Sequence, residues 1–139
     1  ALVHLPEAWE RPRHKFKQPF EYLVSVLRGL SPPSAAQGDR RPFLGALREM
    51  GQMLYRPPGP DGWPDEESFW ASPDGVWKRM EWAHALAQRV ASADWEVGEL
   101  ATALLGRDVS PSVRQGVERA PSPAEALVLL LLSPDFLRR

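Results

Sequence analysis

At 139 residues, with 43% hydrophobic and 25% charged side chains, the chain is long enough to bury a core and too apolar to stay disordered. A formal charge of -1 removes the broad basic footprint of a nucleic-acid-binding protein, and the lack of cysteine excludes disulfides, thiol catalysis and thiolate metal sites. The longest apolar run, Ala126 to Leu132, is far short of the ~20 residues that cross a bilayer, so no membrane span is expected.

The chain opens "ALVHLPEAW", with neither an initiator Met nor a signal peptide, which suggests a mature chain or a piece of something longer. Arg11 to Lys17, "RPRHKFK", is basic and reads as a solvated segment, with nucleic-acid binding ranked last among its uses. From Pro19 to Leu30, Phe20, Leu23, Val24, Leu27 and Leu30 recur at helical spacing, and Pro19 suits the first turn. "SPPSAAQGDRR" then reads as a loop. A second helix is expected from near Pro42 to about Tyr55, on the stripe Phe43, Leu47, Met50 and Leu54, with Gly51 weakening its interior.

Ser72 as N-cap, Pro73 at the first position and Asp74 in the first turn predict a third helix. Val76, Met80, Ala83, Ala87 and Val90 form its stripe, widened by Trp77, Trp82 and Leu86, and it is the expected centre of the fold. Asp94 is placed to cap a fourth helix that buries Val97, Leu100, Ala101 and Leu104 and ends in a left-handed turn at Gly106. Ser110-Pro111, Ser122-Pro123 with Glu125 in a capping box, and Ser133-Pro134 open three more. These Ser-Pro starts account for part of a proline content of 15, about 11% against a usual ~5%. No segment alternates with period two, so the expectation is an all-α single domain, an irregular bundle of about five to seven short helices.

Between the second and third helices lies "YRPPGPDGWPDEESFW", Tyr55 to Trp70. Its prolines fix the backbone and its glycines permit turns, so it holds a shape without regular structure. Trp63 and Trp70 suit two roles there: hydrophobic anchors folded onto the helices, or a stacking surface for a sugar ring, a proline-rich peptide or another aromatic ligand, bordered by Asp61, Asp65, Glu66 and Glu67. Candidate binding residues are therefore Arg56, Asp61, Trp63, Asp65, Trp70, Trp77 and His84, the last bordering the buried face of the third helix. A carboxylate pair such as Asp61 with Asp65 or Glu67 would suit glycoside hydrolysis, but acidic residues in a turn are common. His4, His14 and His84 lack metal-ligand spacing, and no nucleophile elbow or phosphate loop is present, so neither a metal nor a cofactor is expected and catalytic residues are unknown.

"KQPFEYLVSVLRGL" (17–30), "MGQMLYRPPGPDGWP" (50–64), "FWASPDGVWKRMEWAHALA" (69–87) and "LLLSPDFLRR" (130–139) together resemble the C-terminal third of the bacterial family named domain of unknown function 1800. Met53 stands where that pattern leads one to expect proline. The resemblance implies a helical, exported protein found in the periplasm or outside the cell, with this chain as its C-terminal fragment. It implies as partners the missing N-terminal part and, through gene neighbourhood, a sulfatase-like protein; it brings no reaction. The leading expectation is a binding or scaffolding module. The alternative is part of a hydrolase acting on a cell-envelope or extracellular polymer, with enzyme status open.

Overall fold

The computed structural model describes residues 15–30, 41–90, 96–106 and 109–138, and among these the fold is all-α. Its helices are α1 (Pro19–Leu30), α2 (Arg41–Glu49), α3 (Glu67–Trp70), α4 (Pro73–Val90), α5 (Val97–Leu105), α6 (Pro111–Glu118), α7 (Pro123–Leu132) and α8 (Pro134–Leu137). Extended pairing among the described residues is confined to two isolated bridges, Phe16 with Arg138 and Gly59 with Gly62. His4, His14, most of the basic segment, the loop at 31–40 and the Asp94 cap lie outside the described residues.

Every Ser-Pro pair anticipated as a helix start opens one. Ser72 Oγ accepts from Gly75 N–H, Ser122 Oγ from Glu125 N–H and Ser133 Oγ from Phe136 N–H, each at 3.2 Å. Each bond satisfies one of the four donors that a helix start leaves unpaired. Ser110 differs: its side chain caps nothing on α6, and its own N–H donates to Asp135 Oδ2 at 2.8 Å, tying α6 to the first turn of α8.

Three helices depart from the apolar periodicity: α1, α2, and α4, where Val76 and Trp77 of the expected stripe are exposed and Arg79 is buried. In α1 the buried face is Pro19, Tyr22, Leu23 and Val26, while Phe20 and Leu27 are exposed. The buried face is turned because Tyr22 enters the core edge-on against Trp82 and Phe136, at ring separations of 5.9 and 5.6 Å. A tyrosine can be a full core residue, which a stripe of aliphatics and Phe overlooks. The second helix stops at Glu49, short of Tyr55, and Gly51 ends it instead of weakening its interior. Gly51 N–H donates to Arg48 O and Gln52 N–H to Leu47 O, the paired bonds of a Schellman ending, with Gly51 at φ 83°. Gly106 likewise closes α5 at positive φ, but its ψ of -155° is extended, outside the left-handed helical region.

The centre of the fold is α7, not α4. Ala126, Leu127, Val128, Leu130 and Leu131 are all buried, whereas α4 buries only Arg79, Ala83 and Ala87. The small side chains of Ala83 and Ala87 let α4 lie close along α7. Elsewhere α1 meets α5 where Gly29 abuts Leu104, so closely that a Cβ on Gly29 would displace the Leu104 side chain.

Gln52, just past α2, is buried at 5% exposure and caps α1 from a distance. Its Oε1 accepts from Phe20 N–H at 2.7 Å and its Nε2 donates to Gln18 Oε1 at 2.9 Å. Glu21 closes the same helix start by accepting from Gln18 N–H at 3.1 Å. Gln52→Leu keeps the side-chain bulk and strands a part-buried backbone donor, so urea unfolding is expected to show a loss of about 1–2 kcal/mol. Unchanged stability would mean that the cap contributes nothing.

Candidate functional site

The loop between α2 and α3 leaves the helix at Gly51 and turns outward at Tyr55, which is 97% exposed with φ 59°, a left-handed value for a non-glycine residue. Arg56, Pro57 and Pro58 follow in solvent. A turn then closes where Gly62 N–H donates to Gly59 O at 3.2 Å, returning the chain to the helices at Trp63. Trp63 is half-buried against the core, 5.9 Å from the ring of Trp70. Trp70 in turn donates its indole N–H to Pro64 O at 2.7 Å, and Gln18 Nε2 reaches the same carbonyl at 3.4 Å. The far end of the loop is thus held by an apolar ring pair and two donors on one oxygen.

The candidate residues separate under this geometry. Trp70 is only 4% exposed, so its ring packs inside the protein and presents no face to a sugar. Trp63 and Asp65 lie beside it, and the Asp65 carboxylate pairs with Lys15. Arg56 and Asp61 stand on the solvent side of the loop. Trp77, on α4, is 57% exposed. His84 is exposed as well, a correction to its expected place beside the buried face: Ala83 and Ala87 point inward and leave His84 on the outer side of α4. Glu67, the carboxylate after Asp65 and Glu66, pairs with Arg138. Among the described residues no group of three or more His, Asp or Glu is placed to hold a metal ion.

The most constrained polar group is one that reading the loop missed. Arg79, 1% exposed, spreads its guanidinium across three backbone oxygens: Nη1 donates to Trp70 O and Gly75 O, both at 2.9 Å, and Nη2 to Lys17 O at 3.1 Å. Phe16 and Tyr22 cover it, with ring centroids 4.8 and 5.7 Å from Cζ. Gly75 is required for this approach, since a Cβ there would sit 2.8 Å from Trp70 O and 3.4 Å from Arg79 Nη1. Lys17 completes the junction: its N–H donates to Leu137 O at 2.7 Å and its ammonium lies 3.9 Å from the centroid of the Phe136 ring. Burial pushes the Arg79 guanidinium down to about 10, partly offset by Tyr22, and burial holds the Tyr22 phenol above its ordinary value, partly offset by Arg79. Arg79 shares the inward face of α4 with Ala83 and Ala87, four and eight residues further on, a spacing that local patterning alone does not assign to an arginine.

These bonds join the segments whose order and spacing were distinctive in the sequence. A family model, "Protein of unknown function (DUF1800)", matches residues 1–138. The chain belongs to the DUF1800 family. No curated protein and no solved structure matches it. In this DUF1800 chain, Gln18 and Lys17 of the first distinctive segment, Gln52 and Pro64 of the second, Trp70, Gly75 and Arg79 of the third and Phe136 of the last form one connected set of hydrogen bonds and ring contacts. What the arrangement does chemically is hold the loop, both ends of the described chain and the start of α4 together.

Arg79→Ala would strand three carbonyl oxygens and open a void, and is expected to cost about 3–5 kcal/mol of folding stability in denaturant titration. Arg79→Lys retains the charge but not the planar fork and should lose about 1–3 kcal/mol. A loss below 1 kcal/mol for Arg79→Ala would remove the junction from any structural role.

Tyr22 makes a second, pH-resolved expectation. Because its folded value lies above the ordinary 10.0, its contribution is intact below pH 10.0 and is lost as pH rises beyond it. Above that pH, the stability of the parent should fall relative to Tyr22→Phe by about 1.4 kcal/mol per pH unit. Arg79 works in the opposite direction in the same alkaline range but is present in both proteins. Parallel stability curves from pH 9 to 11 would contradict this burial.

Proposed function

We propose that this DUF1800 chain is a binding or scaffolding module that docks another polypeptide through the aromatic side chains exposed around its braced loop. The observation that carries this reading is a division among the large aromatics. Trp63 and Trp70 secure the loop from inside, while Tyr55, Phe69 and Trp77 face solvent from the loop, α3 and α4. Tyrosine and tryptophan bury much area with few rotatable bonds, which is why they concentrate at the energetic centres of interfaces. The acidic residues nearby support docking better than chemistry, because Asp65 and Glu67 are spoken for by Lys15 and Arg138 and Asp61 stands in open solvent.

In this reading the first partner is the remainder of a longer polypeptide of the same family, and the module works outside the cytoplasm. The test is a photo-crosslinking amino acid placed at Trp77 in the full-length protein in its own cells, with exposed Glu125 on α7 as the control position. A discrete adduct from position 77, absent from position 125 and traced by mass spectrometry to one polypeptide or to another part of the same chain, is the expected result. Turnover of a glycan or ester by the purified full-length protein, falling at least about a hundredfold in Asp61→Asn or Asp65→Asn, would replace docking with hydrolysis.

A further inference from the structure

We infer that a cleft between α5, α6 and α7 is a binding site for a small amphipathic carboxylate, with its alkyl body in the cleft and its head on Arg114. The cleft encloses about 510 Å³, within the range of small-molecule sites, and lies between packed helices, a place where such sites form. Its floor is apolar and already buried, built from Val117, Ala126 and Leu130. Its width comes from small residues: a Cβ added at Gly98 would meet nothing within 4 Å. A slot with an apolar floor and no bulky side chain across it suits a narrow hydrocarbon.

The rim decides the head group. Arg114 lines the cleft, is exposed and has no ion-pair partner among the described residues. Glu118 lies one turn further along α6, but an arginine preceding a glutamate by four residues is the weaker order for pairing on a helix, and the two are not joined. Glu118 also sits in the last turn of α6, where a negative charge is unfavourable and would repel an anion. Thr102 Oγ1 donates to Gly98 O at 2.9 Å, and among the described residues lining the cleft Arg114 is the one cationic side chain. The carboxylate therefore belongs at the Arg114 end, with the chain running past Glu118 toward the Pro121 and Pro123 side. None of these residues belongs to the surface proposed above for docking, so either inference can fail without the other.

Decanoate, titrated calorimetrically into the intact protein below its micelle concentration, is expected to bind saturably at one site. Gly98→Leu should fill the slot and weaken binding at least about tenfold while circular dichroism and thermal midpoint stay at or above the parent's, since leucine is also the better helix former. Arg114→Gln should weaken it about tenfold, the scale of one charged hydrogen bond, and Glu118→Gln should leave it equal or tighter. Decyltrimethylammonium, with the same chain and the opposite charge, should bind at least about tenfold more weakly. Absence of saturable decanoate binding, indifference to Gly98→Leu, or equal affinity for the two amphiphiles would each overturn the site.

Discussion

The described structure depends on a buried guanidinium with no carboxylate beside it. Arg79 directs two of its nitrogens to carbonyl oxygens of residues 17, 70 and 75, so a single side chain fixes where the chain enters the bundle, where α3 ends and how α4 begins. Only arginine can do this from one position, because its donors are splayed in a rigid plane and it stays charged when dehydrated. The surrounding rings of Phe16 and Tyr22 replace water with polarisable faces, which eases the burial of a cation without adding an acid to the core.

Around this point the prolines and serines act as a set of corners. Pro73, Pro111, Pro123 and Pro134 stand at first helical positions, where their fixed backbone and missing N–H are no handicap. Ser133 shows how tightly two helices can be joined: its hydroxyl donates to Leu130 O at the end of α7 and accepts from Phe136 N–H at the start of α8. That corner places Phe136 against both Tyr22 and Lys17, so the last described helix supports the same aromatic centre that α1 enters.

The segments that make this sequence distinctive are thereby absorbed into holding the fold together. A loop crowded with tryptophan and carboxylates invites a catalytic reading, yet here Gln52 caps a helix, Gln18 braces Gln52 and the Pro64 carbonyl, Trp70 is interior, and Asp65 and Glu67 pair with basic residues. Functional capacity lies in what this framework leaves outward. One such feature is the set of exposed aromatics around the loop; the other is the open slot among α5, α6 and α7.

The sequence by itself determined the helical class, the Ser-Pro helix starts, the stiff loop and the interior apolar helix at 126–132, because each rests on interactions within a few residues along the chain. It also raised both roles for Trp63 and Trp70. It did not determine which faces are buried, that Gly51 ends a helix, that α7 displaces α4 from the centre, or that His84 looks outward and Arg79 inward. Those outcomes were decided by contacts between residues far apart in sequence, such as Arg79 with Lys17 and Gln52 with Phe20. Local patterning weighs an arginine as a surface residue; only the tertiary arrangement, by supplying three carbonyl oxygens and two aromatic rings in one place, makes the interior the better place for it.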